Sequence, residues 1–255
     1  MLGGDQFPWS LPVFAALRLL RFEAPVTFLV GENGCGKSTL LEAMAVGVEA
    51  TAAGAQQPLD DDTLGPARLL AGGFRFGRKA FPKRKLLFRA EDILGFTRGV
   101  VRNLDDMRDI ELDLKAELND GYGKDLALAA VAGQRRQLEI AYGKAPHAQS
   151  HGETFLAILR QRLKPAGLYF LDEPEAPLSP ARVLELMALI RDCVASKCQF
   201  IIASHSPMLM AQPDSQILSF QADTIQAVPW NELEHVNLLR AFLNRPEQFL
   251  AELKS

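Results

Sequence analysis

The segment from residue 26 to residue 47 restricts the fold of this chain more than any other. It reads VTFLV, then GENGCGKST, then LLEAMAVG, so a short apolar run ends at a glycine-rich turn and a helix-forming run follows. The pattern predicts a buried strand, a tight turn and a helix, in that order. A strand that leads directly into a helix is the unit from which parallel α/β sheets are built.

The turn fits the phosphate-binding pattern G-x-x-x-x-G-K-[ST]. Its glycines let backbone N–H groups close around phosphate oxygens, and the helix adds the partial positive charge of its N-terminus. We expect Lys37 to reach the β- and γ-phosphates of a nucleotide, and the Ser38 hydroxyl to bind Mg²⁺. A chance match is disfavoured by the strand before the turn and the helix after it. The predicted nucleotide-binding residues are Gly31, Glu32, Asn33, Gly34, Cys35, Gly36, Lys37, Ser38 and Thr39.

The composition limits the class of protein. The chain has 255 residues, of which 48% are hydrophobic, and a formal net charge of −3. This suits one large domain and gives no overall basic field for nucleic acid. Three cysteines are too few and too irregularly spaced for a disulfide framework or a zinc site. No leader pattern opens the chain and no run approaches the ~18 apolar residues that span a bilayer, which predicts a soluble, cytoplasmic protein.

The rest of the chain predicts a P-loop NTPase core of the α/β class, with a central, largely parallel sheet flanked by helices. After residue 150, helices alternate with the apolar strands GLYFLD and QFIIASH, the pattern of a sheet buried on both faces. The segments QILSF and TIQAV predict a closing hairpin, and residues 231–253 a helical end. We expect a single domain over residues 1–255, with a small helical and basic lobe inserted at roughly 68–148.

A second group of polar residues follows the first of these strands, in LYFLDEPEAPLSP. The strand delivers Asp172 at its carboxyl end, where open α/β sheets place their ligands. We expect Asp172 to hold Mg²⁺, directly or through a water molecule. Glu173 can then face an attacking water beside the γ-phosphate, as a general base or an orienting group. The alternative is an acidic surface pair before a proline turn, with Ser179 and Pro180 opening the next helix.

A third polar residue, His205, ends the strand in FIIASHSP. A histidine at a strand end is usually only a hydrogen-bonded structural residue. This one should lie at the same sheet edge as the phosphate loop and Asp172, so we favour a role beside the γ-phosphate. The predicted catalytic residues are therefore Lys37, Glu173 and His205.

These motifs together resemble those of an ABC-type ATPase. Residues 31–39 correspond to Walker A, LYFLDEPE to Walker B with its glutamate, APLSP to a D-loop and IIASHSP to a switch-histidine loop. The segments QSHGE, LDEPEAPLSP and ASHSP are similar to those of small soluble AAA-family ATPases allied to the RecF and SMC group, without a coiled coil. The diagnostic pieces cover residues 31–39 and 150–207, whereas the middle of the chain matches poorly.

The segment QSHGETF has a local interpretation and one from this resemblance. Locally, Ser150 and Glu153 form a capping box at the start of a helix with an apolar face. In ABC-type ATPases a signature motif at this point caps a helix that faces the partner subunit's nucleotide. The resemblance therefore implies that Ser150 and the Gly152 backbone contact the γ-phosphate in trans. It also implies an ATP-dependent, head-to-tail homodimer that encloses two ATP molecules.

Two segments depart from the family pattern or stand apart from it. A Q-loop glutamine is expected on a strand after Walker A, but LLFRAEDI has Glu91 at that place. Residues 75–89, RFGRKAFPKRKLLFR, contain seven basic residues and no acidic one. They form either a solvated loop face or a strip that contacts the phosphate backbone of DNA.

The leading functional hypothesis is ATP binding and hydrolysis by an ATP-driven dimerisation switch, with DNA repair or defence as one setting. A first rival is the ATP-binding subunit of a membrane transporter, which usually carries L-S-G-G-Q and a Q-loop glutamine. A second is a P-loop kinase of a small molecule, which would not need Glu173, the SHGE cap and His205 together. An SMC-like clamp is excluded because only about 110 residues separate Walker A from the SHGE segment and no heptads occur.

Overall fold

The computed structural model describes residues 6–52, 62–77, 82–118, 121–142 and 151–252. These residues build one seven-stranded sheet with helices packed on both faces. The strands are β1 (Val26–Val30), β2 (Thr51–Ala52), β3 (Lys85–Arg89), β4 (Leu168–Asp172), β5 (Gln199–Ala203), β6 (Ser215–Phe220) and β7 (Ile225–Ala227). Their order across the sheet is β2-β3-β4-β5-β1-β6-β7.

The helices in the described part of the chain are α1 (Pro12–Ala16), α2 (Lys37–Gly47), α3 (Gly65–Gly72), α4 (Ala90–Glu117), α5 (Tyr122–Tyr142), α6 (His151–Arg162), α7 (Pro180–Ala195), α8 (Glu234–Asn244) and α9 (Pro246–Glu252). Helices α8 and α9 confirm the predicted helical end. Ser179 occupies the N-cap of α7 and Pro180 its first turn, as predicted, but the Ser179 side chain makes no capping hydrogen bond. None of the described helices is long and apolar enough to cross a membrane.

Neighbouring strands run parallel except at one end of the sheet. β6 and β7 are antiparallel, with Phe220 opposite Ile225, which confirms the predicted hairpin. β1 lies between β5 and β6, and β5 separates it from β4. The predicted α/β class with a largely parallel sheet is therefore confirmed. Because the carboxyl ends of β1, β4 and β5 share one edge, the loops after them meet there.

The central strands are apolar because both faces of the sheet are covered. All residues of β1 are buried, as are the first four of β4 and the last four of β5. One face packs against α6 and α7 through side chains such as Phe155 and Leu186. The other face packs against α1, α2 and α3 through side chains such as Phe14, Leu41 and Leu70. The phosphate loop thus leaves a strand that is held from both sides.

The segment from 68 to 148, for which the sequence predicts an inserted lobe, contributes to the sheet as well. Its strand β3 pairs in parallel with β2 and with β4. Helices α4 and α5 form an antiparallel hairpin, in which Arg135 contacts Glu111 and Lys124 contacts the Lys115 carbonyl. The boundary of a separate lobe remains a prediction.

Candidate active site

The loop between β1 and α2 folds tightly, and its shape requires glycine at two positions. Gly36 has a φ angle of 102°, and a Cβ atom there would lie 2.7 Å from Cζ of Phe14. A Cβ atom on Gly31 would lie 2.9 Å from both Cys35 Sγ and Phe220 Cβ. Side chains at these positions would displace the loop. The close backbone approach that phosphate binding needs is therefore provided by glycine.

Lys37 lies inside this loop and is only 6% exposed. Its Nζ donates hydrogen bonds to the carbonyl oxygens of Gly31, at 2.9 Å, and Glu32, at 2.8 Å. Lys37 also begins α2, whose first turn carries no acidic side chain and whose N-cap residue, Gly36, makes no side-chain cap. The N–H groups at this helix end are open to an anion, with the ammonium group beside them. A phosphate group could replace the two carbonyl oxygens around Nζ.

Ser38 follows β1 and Asp172 ends β4. Their side chains meet at the sheet edge although β5 lies between these two strands. Ser38 Oγ donates a hydrogen bond of 3.1 Å to Asp172 Oδ1. A hydroxyl and a carboxylate are the hard oxygen ligands that Mg²⁺ prefers, and Mg²⁺ completes its shell with water and phosphate oxygens. The pair therefore fits a Mg²⁺ ion shared with a nucleotide.

Glu173 and His205 meet at the same edge, directly beyond β4 and β5. Glu173 Oε1 lies 3.8 Å from His205 Nε2, and both side chains are partly exposed. The Glu173 backbone is left-handed, with a φ angle of 46°, and its N–H donates to the Ala203 carbonyl at 2.9 Å. Such a conformation costs on the order of 1–3 kcal/mol for a residue with a side chain, and is common in active sites. The turn directs the carboxylate out of the strand towards the histidine.

Glu175, which the sequence analysis did not single out, binds the loop that carries His205. Its Oε1 accepts hydrogen bonds from Ser204 Oγ and from the backbone N–H groups of His205 and Ser206. The only sequence signal was a further glutamate two residues after Glu173. Its partner loop lies about thirty residues along the chain, so only the fold reveals the contact.

The C-terminal segment supports the same loop from the other side. Trp230 Nε1 donates to the Pro207 carbonyl at 2.9 Å. His235, on α8, is half-buried, and its Nε2 has no hydrogen-bond partner among the described residues. Burial lowers the pKa of His235, and the nearby His205 lowers it further, whereas Glu234 acts in the opposite direction. These residues were also not predicted from their sequence positions.

Arg89 lies at the end of β3, in register with Asp172 on β4. It is 7% exposed, and its guanidinium contacts Thr63 Oγ1 at 3.0 Å and Glu42 Oε1 at 3.7 Å. Because Glu42 belongs to α2, Arg89 links the phosphate-loop helix to the strand beside Walker B. This arginine is internal, which corrects its predicted place in a basic surface strip.

The basic strip predicted at 75–89 is divided by the fold. Phe88 belongs to the core, and the Lys85 ammonium group donates to the Val48 carbonyl. Residues 78–81 lie outside the described residues. The exposed basic side chains of the described part of the strip are Arg75, Lys83 and Arg84. The strip is therefore shorter than predicted, because β3 turns its last residues into the sheet.

The helix predicted to face a partner's nucleotide begins beside the D-loop. A Cβ atom on Gly152 would lie 2.9 Å from the Pro177 carbonyl oxygen, so α6 starts in contact with the segment after Walker B. Glu153 pairs with Arg182 on α7. Ser150 lies outside the described residues, as does the side chain of Glu91. The capping box and the Q-loop assignment remain predictions.

The glycine loop, the oxygen pair and the shared sheet edge define a P-loop nucleotide-binding protein. Two family models match the chain, and both describe AAA domains. One, described as "AAA domain", matches residues 14–95, which include the phosphate loop. The other, described as "AAA domain, putative AbiEii toxin, Type IV TA system", matches residues 154–211, which include Walker B and His205. Both matches are to AAA domains, which confirms the resemblance to ABC-type ATPases of the AAA family predicted from the motifs.

Two curated relatives are similar over most of this chain. The nucleoside import ATP-binding protein NupA of Lactococcus lactis subsp. cremoris is 22% identical over 233 residues, which cover 88% of this chain and 42% of that protein. The cobalt import ATP-binding protein CbiO of Salmonella paratyphi A is 29% identical over 203 residues, which cover 76% of this chain and 66% of that protein. The chain thus spans less than two thirds of the length of each.

Two solved structures with limited similarity to this chain are SMC heads. The Smc head domain with an extended coiled coil, bound to the C-terminal domain of ScpA from Pyrococcus furiosus, has a TM-score of 0.36 and 14% identity. That similarity covers 90% of this chain and 93% of the other. The SmcHead bound to the C-winged helix domain of ScpA has a TM-score of 0.40 and 15% identity, over 79% of this chain and 89% of the other.

Proposed function

We propose that this chain hydrolyses ATP with Mg²⁺ at the edge formed by the ends of β1, β4 and β5. The observation that carries the proposal is the meeting of Ser38 with Asp172, at 3.1 Å, beside the meeting of Glu173 with His205, at 3.8 Å. Both pairs border the loop that holds the Lys37 ammonium group. This arrangement supports the proposal that phosphate binding, metal binding and water activation occur in one place.

Each residue has a distinct part in this reaction. Lys37 binds the β- and γ-phosphates, while Ser38 and Asp172 would hold Mg²⁺, which neutralises phosphate charge. Glu173 accepts a proton from a water molecule as the water oxygen bonds to the γ-phosphorus and the bond to the ADP oxygen breaks. His205 donates a hydrogen bond to the γ-phosphate from the other side of that water. The products are ADP and inorganic phosphate.

We further propose that ATP closes two copies of the chain into a head-to-tail homodimer. The start of α6 contacts the D-loop segment at Pro177, so two elements that would face a partner are adjacent. The N-terminus of this twelve-residue helix carries a partial positive charge suited to a γ-phosphate. Ser150 and the Gly152 backbone would supply the contacts in trans, in keeping with the ABC-type resemblance.

The decisive experiment is the molar mass of Glu173→Gln in solution, with and without Mg·ATP. We expect the mass to double from the 28.1 kDa of one chain, because ATP binds but is hydrolysed slowly and holds the dimer closed. Lys37→Ala is the matched control and should remain a monomer with ATP. Hydrolysis by Glu173→Gln at the native rate would remove the proposed mechanism. A monomer under every condition would remove the dimer alone.

A second candidate function is the energising subunit of an importer. It is favoured by the similarity to NupA and CbiO, both of which are import ATP-binding proteins. An affinity-tagged chain expressed in its native host should then copurify with an integral membrane protein that raises kcat for ATP. Full turnover and ATP-dependent dimerisation by the chain alone would favour the first function.

DNA contact through the exposed part of the basic strip is a separate proposal. Arg75, Lys83 and Arg84 are exposed and can reach phosphates without disturbing the core. Replacing all three with glutamine should weaken binding of a fluorescent DNA duplex and reduce the slope of log affinity against log salt by about 2–3. An unchanged slope, or no binding by the native chain, would leave the strip as a solvated surface.

A further inference from the structure

The loop after β5 is held by one carboxylate oxygen. Glu175 Oε1 accepts from Ser204 Oγ at 2.7 Å, from the His205 N–H at 2.8 Å and from the Ser206 N–H at 3.0 Å. Two successive backbone N–H groups thus converge on one oxygen, which is the geometry of an anion-binding nest. Ser204 is fully buried, so water does not compete well for these charge-assisted bonds. The oxygen fixes the backbone from which the His205 side chain extends.

The same carboxylate belongs to the turn that carries Glu173. The Glu173 N–H donates to the Ala203 carbonyl at 2.9 Å, and the Ala176 N–H donates back to the Glu173 carbonyl at 3.0 Å. The turns after β4 and β5 are therefore joined twice, once by backbone and once by the Glu175 side chain. This joint frame sets the 3.8 Å separation of Glu173 and His205.

We infer that Glu175 is a positioning residue for ATP hydrolysis, which holds the His205 loop where His205 can act with Glu173 on the γ-phosphate. The inference rests on the proposed ATP hydrolysis. Glu175 acts through His205 and does not itself touch the reacting atoms. Its loss should therefore change the rate of the chemical step more than the affinity for ATP.

The site requires a carboxylate and not only an oxygen. Glu175 Oε2 is buried and has no hydrogen-bond partner among the described residues. Glutamine would either place its NH₂ group at that buried position or turn it against the three donors. Glutamine would also lose the negative charge that strengthens the three bonds. Aspartate keeps the charge but withdraws it by one methylene group.

The test compares Glu175→Gln and Glu175→Asp with the native full-length chain. Glu139→Gln is the matched control, because its carboxylate also accepts a hydrogen bond, from Arg135 at 2.7 Å, but lies on the α4–α5 hairpin. We expect Glu175→Gln to lower kcat about tenfold or more, with the dissociation constant for ATP changed less than about twofold. Glu175→Asp should fall between it and the native chain, and Glu139→Gln should behave as native.

A second readout does not depend on turnover. The chain has four histidines, so the imidazole NMR signal of His205 can be assigned with a His205→Asn variant. We expect Glu175→Gln to shift that signal, because the His205 backbone loses its fixed acceptor. If the native chain does not hydrolyse ATP, the proposed function fails, and an unchanged His205 signal then overturns the inference as well.

Two further results would overturn the inference while leaving ATP hydrolysis in place. One is a native kcat in Glu175→Gln, whatever the His205 signal does. The other is a parallel fall of Tm, ATP affinity and kcat in both Glu175 variants, which would assign this residue to stability alone. Tm is therefore measured for every variant alongside kcat.

Discussion

The sheet edge and the α4–α5 hairpin are built in opposite ways. At the sheet edge, the candidate site residues lie in the turns and helix starts that follow buried strands, and Lys37 and Glu175 each make several hydrogen bonds. The hairpin is joined by partly buried ion pairs such as that of Arg135 with Glu111, at 2.9 Å. Ile140 on the hairpin is 78% exposed. The first region tolerates little displacement, whereas the second can change at small cost.

The family matches follow the same division. They cover residues 14–95 and 154–211, and nearly all of the α4–α5 hairpin lies between these two ranges. Residues that bind a nucleotide can vary little in type or spacing. They are therefore recognisable as short sequence motifs. The helices of the hairpin pair mainly with each other, which many sequences allow.

The largest expected effect is on stability, from a substitution on the buried face of α6. Phe155 is fully buried, so Phe155→Ala should lower the free energy of unfolding by about 3–5 kcal/mol. Ile140→Ala, on the exposed hairpin, should change it by less than about 0.5 kcal/mol. Urea denaturation of both variants measures the contrast. Equal losses would show that the hairpin is packed as tightly as the sheet.

The next effect is on nucleotide binding. Lys37→Ala removes the ammonium group from the phosphate loop and should weaken ATP binding at least about 100-fold, because phosphate charge is left uncompensated. Lys124→Ala removes a half-buried lysine of the hairpin and should leave ATP affinity unchanged. Isothermal titration with Mg·ATP measures both variants. Native affinity in Lys37→Ala would contradict the assignment of the phosphate loop.

The motifs predicted the parts of this molecule that depend on short stretches of chain. Strand, glycine loop and helix follow from residues 26–47, and the apolar runs before Asp172 and His205 indicated strands that end at one edge. Their roles in catalysis remain predictions, although the fold brings these residues together.

The contacts that the sequence analysis missed join distant segments. Glu175 reaches a loop about thirty residues further on, and Arg89 is internal because β3 inserts between β2 and β4. Neither spacing nor residue type reveals such contacts, because they depend on the order of strands in the sheet.

A smaller effect is expected on the stability of the protein at acidic pH, through His235 in the segment that packs beside the His205 loop. Burial lowers the pKa of His235, so the unfolded chain binds a proton at this residue more readily than the folded chain does. Stability should therefore fall as pH drops below about 6.5, the usual pKa of histidine, and this part of the fall should be absent in His235→Gln. We expect the difference in Tm between about pH 7.5 and pH 5.5 to be smaller in the variant by roughly 3 °C. Identical pH profiles would show that His235 is equally easy to protonate in both states.

The smallest effect is expected in the hairpin itself. Arg135 donates to Glu111 at 2.9 Å and to Glu139 at 2.7 Å, and the paired carboxylates raise its pKa. These pairs are partly exposed, so solvent screens them in part, and Arg135→Ala should lower Tm by no more than about 2 °C and leave kcat for ATP unchanged. Thermal unfolding and a steady-state ATPase assay measure the two quantities. A clear loss of kcat with little change in Tm would contradict the division between the two regions. It would mean that the packing of α4 against α5 affects the sheet edge, most directly through β3 and Arg89.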